Sequence, residues 1–261
     1  MSAVDVDGAV RRWRVLSETA VLLDGFHALK HALRFGATVP AVLTSDRDEA
    51  LALADELAPD VRDRIAELAV EVPADALRGL VPRAHPTGVA ALAVRPDREG
   101  QLAVLAQQRR PAPAVILDNP RNLGNAGAVI RLAAGFGATG VITTGSLDPW
   151  HPTVVRGAAG LHYATAVERL QVDELPAGPL YALDPEGDDI RSVTLPDDAL
   201  LAFGSERSGL SAELRERADE LIALPMRPQV SSYNLATSVG MTLFHWSTSS
   251  GRPTPAPVDA E

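Results

Sequence analysis

The sequence predicts an α/β protein with a mainly parallel sheet, preceded by a smaller α/β unit. Three observations predict it. Short apolar runs (Ala114–Asp118, Val141–Thr144, Leu180–Asp184, Ala199–Gly204, Leu221–Leu224) alternate with segments of helical period such as Ala126–Phe136 and Leu235–Trp246. Strand–helix alternation of this kind implies a sheet covered on both faces. A stretch rich in proline and charge, Arg95–Pro113, parts this half from an earlier alternating unit.

In chain order, Val10–Ala37 opens with Arg11, Arg12 and Arg14. It continues with Leu22, Phe26, Leu29 and Leu33 at helical spacing, with Gly36 as a C-cap. Val39–Thr44 reads as a strand and Asp48–Leu57 as a helix with Pro59 beyond it. Val70–Val72 is a strand, Asp75–Leu80 a short helix and Gly88–Val94 a buried strand. The expected organisation is a unit over residues 1–95, a linker over 96–112, a second unit over 113–248 and a disordered tail over 249–261. Arg109 and Arg110 fall in the linker, where a soluble connector is favoured slightly over an RNA contact. In the second half Gly137 ends a helix, Thr153–Gly160 is a short helix or loop, and Ser211 caps a helix over Ser211–Ala218. Before the last helix, Pro225 and Pro228 exclude regular structure, and Ser231 and Ser232 supply capping side chains.

Composition narrows the function. The chain has 261 residues and no cysteine, which excludes disulfides and thiolate metal sites. The formal net charge of −10 is uneven, −2 over residues 1–111 and −8 over residues 112–261. An acidic total argues against generic electrostatic binding to nucleic acid, though a local basic surface remains compatible with it. The only lysine is Lys30. No apolar run approaches the ~20 residues that span a bilayer, and the N-terminal segment lacks the apolar core of a signal peptide. The expectation is a cytoplasmic protein with no membrane partner.

Three loops follow apparent strands: Asn119–Asn125, Gly204–Gly209 and Pro225–Asn234. Ligands of open parallel sheets bind beyond the carboxyl ends of the strands, so these loops form one pocket if their strands are neighbours. No G-x-G-x-x-G or P-loop pattern occurs, which disfavours a nicotinamide or ATP enzyme, and there is no G-x-S-x-G elbow. His27 and His31 are an i, i+4 pair without an HExxH pattern, and no metal is expected. Taken singly, each loop also fits a plain reading: a helix N-terminus with ordinary caps, a turn with a solvated Glu206, a surface Arg131.

Together the loops resemble the SpoU (TrmH-like) branch of the SPOUT RNA methyltransferases. The first motif is Asn122-Leu-Gly124 followed by Arg131 and Phe136-Gly137. The second is Phe203-Gly-Ser-Glu206-Arg-Ser-Gly209-Leu-Ser, and the third Leu224-Pro-Met226 followed by Ser232-Tyr-Asn234. More loosely, Leu23–Lys30 and Pro86–Ala90 are similar to the family's N-terminal substrate-binding domain, which is akin to a small ribosomal RNA-binding protein.

The resemblance implies a deep trefoil knot in the C-terminal domain, a homodimer with the active site near the subunit interface, and S-adenosylmethionine as cofactor. The reaction it implies is methyl transfer to a ribose 2′-hydroxyl of tRNA or rRNA. By the same resemblance Gly204, Leu224, Met226 and Tyr233 contact the cofactor. Arg131 stands at the hydroxyl, Ser232 and Asn234 hold Arg131 or the ribose, Glu206 braces the site, Asn122 orients the substrate and Arg156 meets a phosphate. The chain departs from many relatives at Pro228, Tyr233 and Ala236, which bears on cofactor geometry and substrate choice. The alternative is a catalytically inactive RNA-binding module of the same fold.

Overall fold

The computed structural model describes residues 6–249; most of the expected tail lies outside them. The first unit is built on a four-stranded sheet of β1 (Val21–Asp24), β2 (Ala41–Thr44), β3 (Ala69–Glu71) and β4 (Val89–Ala93). Its order is β1-β4-β2-β3, with β4 antiparallel to both neighbours and β2 parallel to β3. Helices α1 (Val6–Leu16), α2 (Phe26–Arg34), α3 (Arg47–Leu57), α4 (Arg62–Leu68) and α5 (Ala74–Leu80) cover it.

Leu22 departs from the helical reading of Val10–Ala37. It lies in β1, opposite Leu92 of β4, so strand pairing overrides the local spacing and the helix starts only at Phe26. The expected linker also holds structure. Residues Arg98–Leu105 form α6, started by the Asp97 carboxylate, which accepts the Gly100 N–H at 2.7 Å. Arg110 is 2% exposed. Its guanidinium donates to the carbonyls of Leu105, Gln107, Ala177 and Asp198. It is therefore a buried clamp on the second unit, neither a solvated connector nor a surface for RNA.

The second unit contains β5 (Ala114–Leu117), α7 (Leu123–Phe136), β6 (Gly140–Thr143), α8 (Pro152–Gly157) and β7 (Ala166–Arg169). It continues with β8 (Leu180–Asp189), β9 (Leu200–Phe203), α9 (Ala212–Arg217), β10 (Glu220–Ala223) and α10 (Leu235–Ser249). All five strand pairings are parallel, in the order β10-β8-β9-β5-β6-β7. Residues of β5, β6 and β9 are buried throughout, as strands covered on both faces require. Strand β7 was not foreseen. Its Glu168 interrupts an apolar run, and burial at 2% exposure is tolerated because Arg95 and Arg98 stand 3.7 Å away.

The chain runs from β5 outward through β6 to β7, then returns on the far side of β5 to β8, β9 and β10. The order therefore reverses between β5 and β9, the place where sheets of this type open a crevice at their carboxyl ends. Behind the crevice α7 lies close to α8. A Cβ at Gly127 would stand 2.7 Å from the Val154 carbonyl, so glycine permits the approach. The two units share one apolar core, in which Leu23, Phe26 and Leu29 join Val129, Val154 and Val155.

Candidate functional site

The carboxyl ends of β9 and β10, with the middle of β8 (residues 183–185), open into a cavity of about 550 Å³. Its apolar wall comprises Leu183, Phe203, Ile222, Leu224, Met226 and Leu235, and its polar rim includes Glu206, Ser232, Tyr233 and Asn234. The second and third loops thus converge, although β10 is separated from β9 by β8.

The second loop is tight. Ser205 and Gly209 exchange backbone hydrogen bonds, both 3.0 Å, and Gly209 has φ of +68°. A Cβ at Gly204 would overlap the Gly209–Leu210 peptide, so only glycine brings the end of β9 to the cavity. Ser211 then caps α9 by accepting the Leu214 N–H, as its sequence position suggested. Buried Asp118, just past the end of β5, receives the Thr144 hydroxyl at 2.8 Å and the Ser211 N–H at 2.6 Å, which fixes the second loop to the first.

The first loop leads into α7. Asn122 caps it, its Oδ1 accepting the Asn125 N–H at 3.0 Å. Asn125, which the sequence did not single out, then reaches across the crevice. Its Nδ2 donates to Glu206 Oε1 at 2.6 Å, and its Oδ1 accepts from Asn234 Nδ2 at 3.1 Å. Asn234 Oδ1 accepts the N–H groups of Ala236 at 2.9 Å and Thr237 at 3.4 Å. The cap of α10 is therefore Asn234 rather than Ser231 or Ser232, which line the cavity instead. Tyr233 donates its hydroxyl to the Pro225 carbonyl at 3.0 Å and so closes the third loop on itself.

The structure brings Gly204, Glu206, Leu224, Met226, Ser232, Tyr233 and Asn234 to one cavity; Asn122 does not line it and instead caps α7 through the Asn125 N–H. Arg131 and Arg156 lie farther off. Arg131 is on the exposed face of α7, within electrostatic reach of His27 and Lys30 on α2 rather than on the cavity wall. Arg156, on α8, pairs with Asp24 at 3.1 Å and joins the two units, so its guanidinium already holds a carboxylate where a phosphate contact was expected. Burial raises the pKa of Asp24, and Arg156, His85 and Arg83 oppose the shift.

Comparisons with known proteins bear on this arrangement. The model of the SpoU rRNA Methylase family matches residues 112–244. A 23S rRNA (uridine(2479)-2′-O)-methyltransferase of Streptomyces viridochromogenes is 27% identical over 237 residues, covering 85% of this chain and 80% of that protein. An uncharacterized tRNA/rRNA methyltransferase of Synechocystis is 31% identical over 169 residues, or 58% of this chain; the match spans 60% of that protein, less than two thirds of its length. Among solved structures, the SpoU methyltransferase AviRb from Streptomyces viridochromogenes, crystallised with AdoMet, superposes with a TM-score of 0.70 at 22% identity. It covers 92% of this chain and 96% of its own, a likeness of fold. With the family match spanning the whole crevice from β5 to α10, the chain belongs to the SpoU rRNA methylase family.

Proposed function

We propose that the protein transfers a methyl group from S-adenosylmethionine to a ribose 2′-hydroxyl of structured RNA. The observation that carries the reading is the convergence of Glu206, Ser232 and Asn234 on one cavity, with Glu206 and Asn234 bridged by Asn125. The cavity fits the cofactor. Its volume of about 550 Å³ lies in the range of small-molecule sites. The apolar wall of Leu183, Leu224, Met226 and Leu235 suits an adenine ring, and the bare backbone at Gly204 offers a close main-chain contact. When bound, the cofactor supplies a methyl already activated on a sulfonium.

The chain's own groups then have two tasks: to align the hydroxyl and to ease loss of its proton. Ser232 and Asn234 stand on the rim where a ribose would lie, and Glu206 holds the Asn125–Asn234 pair in place. Arginine is a poor base, so Arg131 serves by orienting the hydroxyl and stabilising the developing oxyanion. That role requires Arg131 to reach a cavity other than its own, and a homodimer supplies one. Helix α7 carries apolar or small residues on nearly every side, the composition of a covered helix, and Phe244 of α10, which packs on it, is 61% exposed. A second copy packed on this face would set Arg131 of one protomer at the crevice of its partner.

The trefoil knot belongs to the same reading. Helix α10 packs on α7 while His245 and Trp246 bond to Val193 and Asp197 of the β8–β9 connection. Contact of the C-terminal segment with both of these earlier stretches of chain supports that part of the reading. Residues 1–95 would present the RNA to the methyltransferase unit. The test is methyl transfer to ribosomal RNA and, separately, to tRNA, with mass analysis of the released nucleosides. A 2′-O-methyl nucleoside from one pool supports the reading and assigns the substrate class; a base-methylated nucleoside rejects it.

A further inference from the structure

The chain is acidic, yet one seam between its two units gathers basic side chains, some of which have no carboxylate partner among the described residues. Helix α2 places His27, Lys30, His31 and Arg34 at i, i+3, i+4 and i+7, on one face. Two of them are committed. His31 Nδ1 lies 2.9 Å from the Ala159 carbonyl, and Arg34 pairs with Asp60 through a 2.7 Å bond from Nε. His27, Lys30 and, across the seam, Arg131 of α7 make no hydrogen bond or ion pair among the described residues.

The two helices are held to a common support. The turn Leu161–Tyr163 packs against both, and the Gly160 backbone lies against that of Ala28. Burial, Arg34 and Arg131 lower the pKa of Lys30 against the opposing pull of Asp60; burial, Lys30, His85 and Arg131 lower that of His27. Like charges gathered from two elements are unfavourable unless an anion joins them. Lys30 is also the only lysine among 24 basic residues, and an ammonium presents three donors to a phosphate.

We propose that the seam between α2 and α7 is a phosphodiester-binding site for the RNA strand, with Lys30 its principal contact, His27 beside it and Arg131 at its inner end. The proposal rests on the RNA-methyltransferase reading. Arg131 lies six residues beyond Asn125, or about 9 Å along α7. A strand held at Lys30 is thereby led to Arg131, the group that in the proposed dimer stands at the partner's crevice, and both units grip the same backbone.

The test is RNA binding by the full chain across a salt series, with unmodified 23S rRNA transcripts as the probe. The salt slope counts phosphate contacts whatever the sequence. For Lys30→Gln the expected result is a slope shallower by about 0.7–0.9 and a weaker affinity at every salt concentration below the midpoint. Lys30→Arg should retain the slope. AdoMet affinity and melting temperature should match the parent in both variants, which separates phosphate contact from a structural role. An unchanged slope in Lys30→Gln overturns the seam, whether or not methyl transfer occurs. Absent methyl transfer with a reduced slope would instead reject the enzymatic reading and leave the phosphate contact standing.

Discussion

The side chains of Asn125 and Asn234 meet end to end, with the Asn234 nitrogen 3.1 Å from the Asn125 oxygen. The bond has a direction. Asn234 Oδ1 is occupied by the first N–H groups of α10, so its NH2 must face Asn125. Asn125 must then accept on its oxygen and donate from its nitrogen, which turns its NH2 to Glu206. The N-terminus of α10 thus sets the polarity of a relay that ends on a carboxylate at the cavity rim.

Asn125 should matter to cofactor binding although it does not line the cavity. Asn125→Ala removes both bonds, and at ~0.5–1.5 kcal/mol each the AdoMet dissociation constant should rise several-fold to about a hundredfold. Asn125→Asp should be worse at neutral pH, since it sets a second carboxylate against Glu206. Calorimetric titration of AdoMet into each variant checks this. Parent-like affinity in both would show that the relay does not hold the site.

Arg131 and Asn234 should act from different protomers. Arg131→Ala and Asn234→Ala should each abolish methyl transfer alone. Mixed and reassociated at equal amounts, they should recover about a quarter of parental activity, because half the dimers are mixed and each carries one intact site. No recovery, with dimer exchange demonstrated, would place both groups in one protomer's site.

That the loops meet at one cavity was legible because each carries a local pattern at fixed offsets: Glu206 between two glycines, Ser232 and Asn234 before an apolar helix. Asn125 was not, since its partners lie 81 and 109 positions away and only the sheet order brings them together. The same holds elsewhere. Leu22 fits a helical period and yet pairs with Leu92. Glu168 breaks the pattern of β7, and its compensating arginines come from the segment after β4. In α6 the signal was present as Asp97 three residues before Gly100, but the flanking prolines drew the reading towards a connector. Exposure of Arg131 and engagement of Arg156 by Asp24 are properties of packing between units, which no local spacing encodes.

Arg110 should be a stability residue. Arg110→Met leaves the carbonyls of Leu105, Gln107, Ala177 and Asp198 without their donor. A loss of about 3 kcal/mol is expected, read as a lower urea midpoint with an unchanged slope. AdoMet affinity of the folded fraction should not move; a parent-like midpoint would contradict the clamp.

His162 should make the fold acid-sensitive. It is fully buried, its Nε2 donates to the Pro149 carbonyl at 2.8 Å, and burial lowers its pKa to about 4. Between about 6.5 and 4 the unfolded chain binds a proton that the folded one refuses, so this contribution is complete above the upper value and lost as pH falls through the window. Across it the stability gap between the parent and His162→Phe should shrink by roughly 3 kcal/mol. Urea titrations at several pH values measure this, and a constant gap would remove His162 as the cause.

The central claim is most directly tested by incubating the protein with methyl-labelled AdoMet and unmodified ribosomal RNA, with Arg131→Ala alongside. The account predicts label in RNA, recovered as a 2′-O-methylated nucleoside, and none with the variant although it binds the cofactor as the parent does. Undiminished label from Arg131→Ala, or label recovered only on a base, would contradict it.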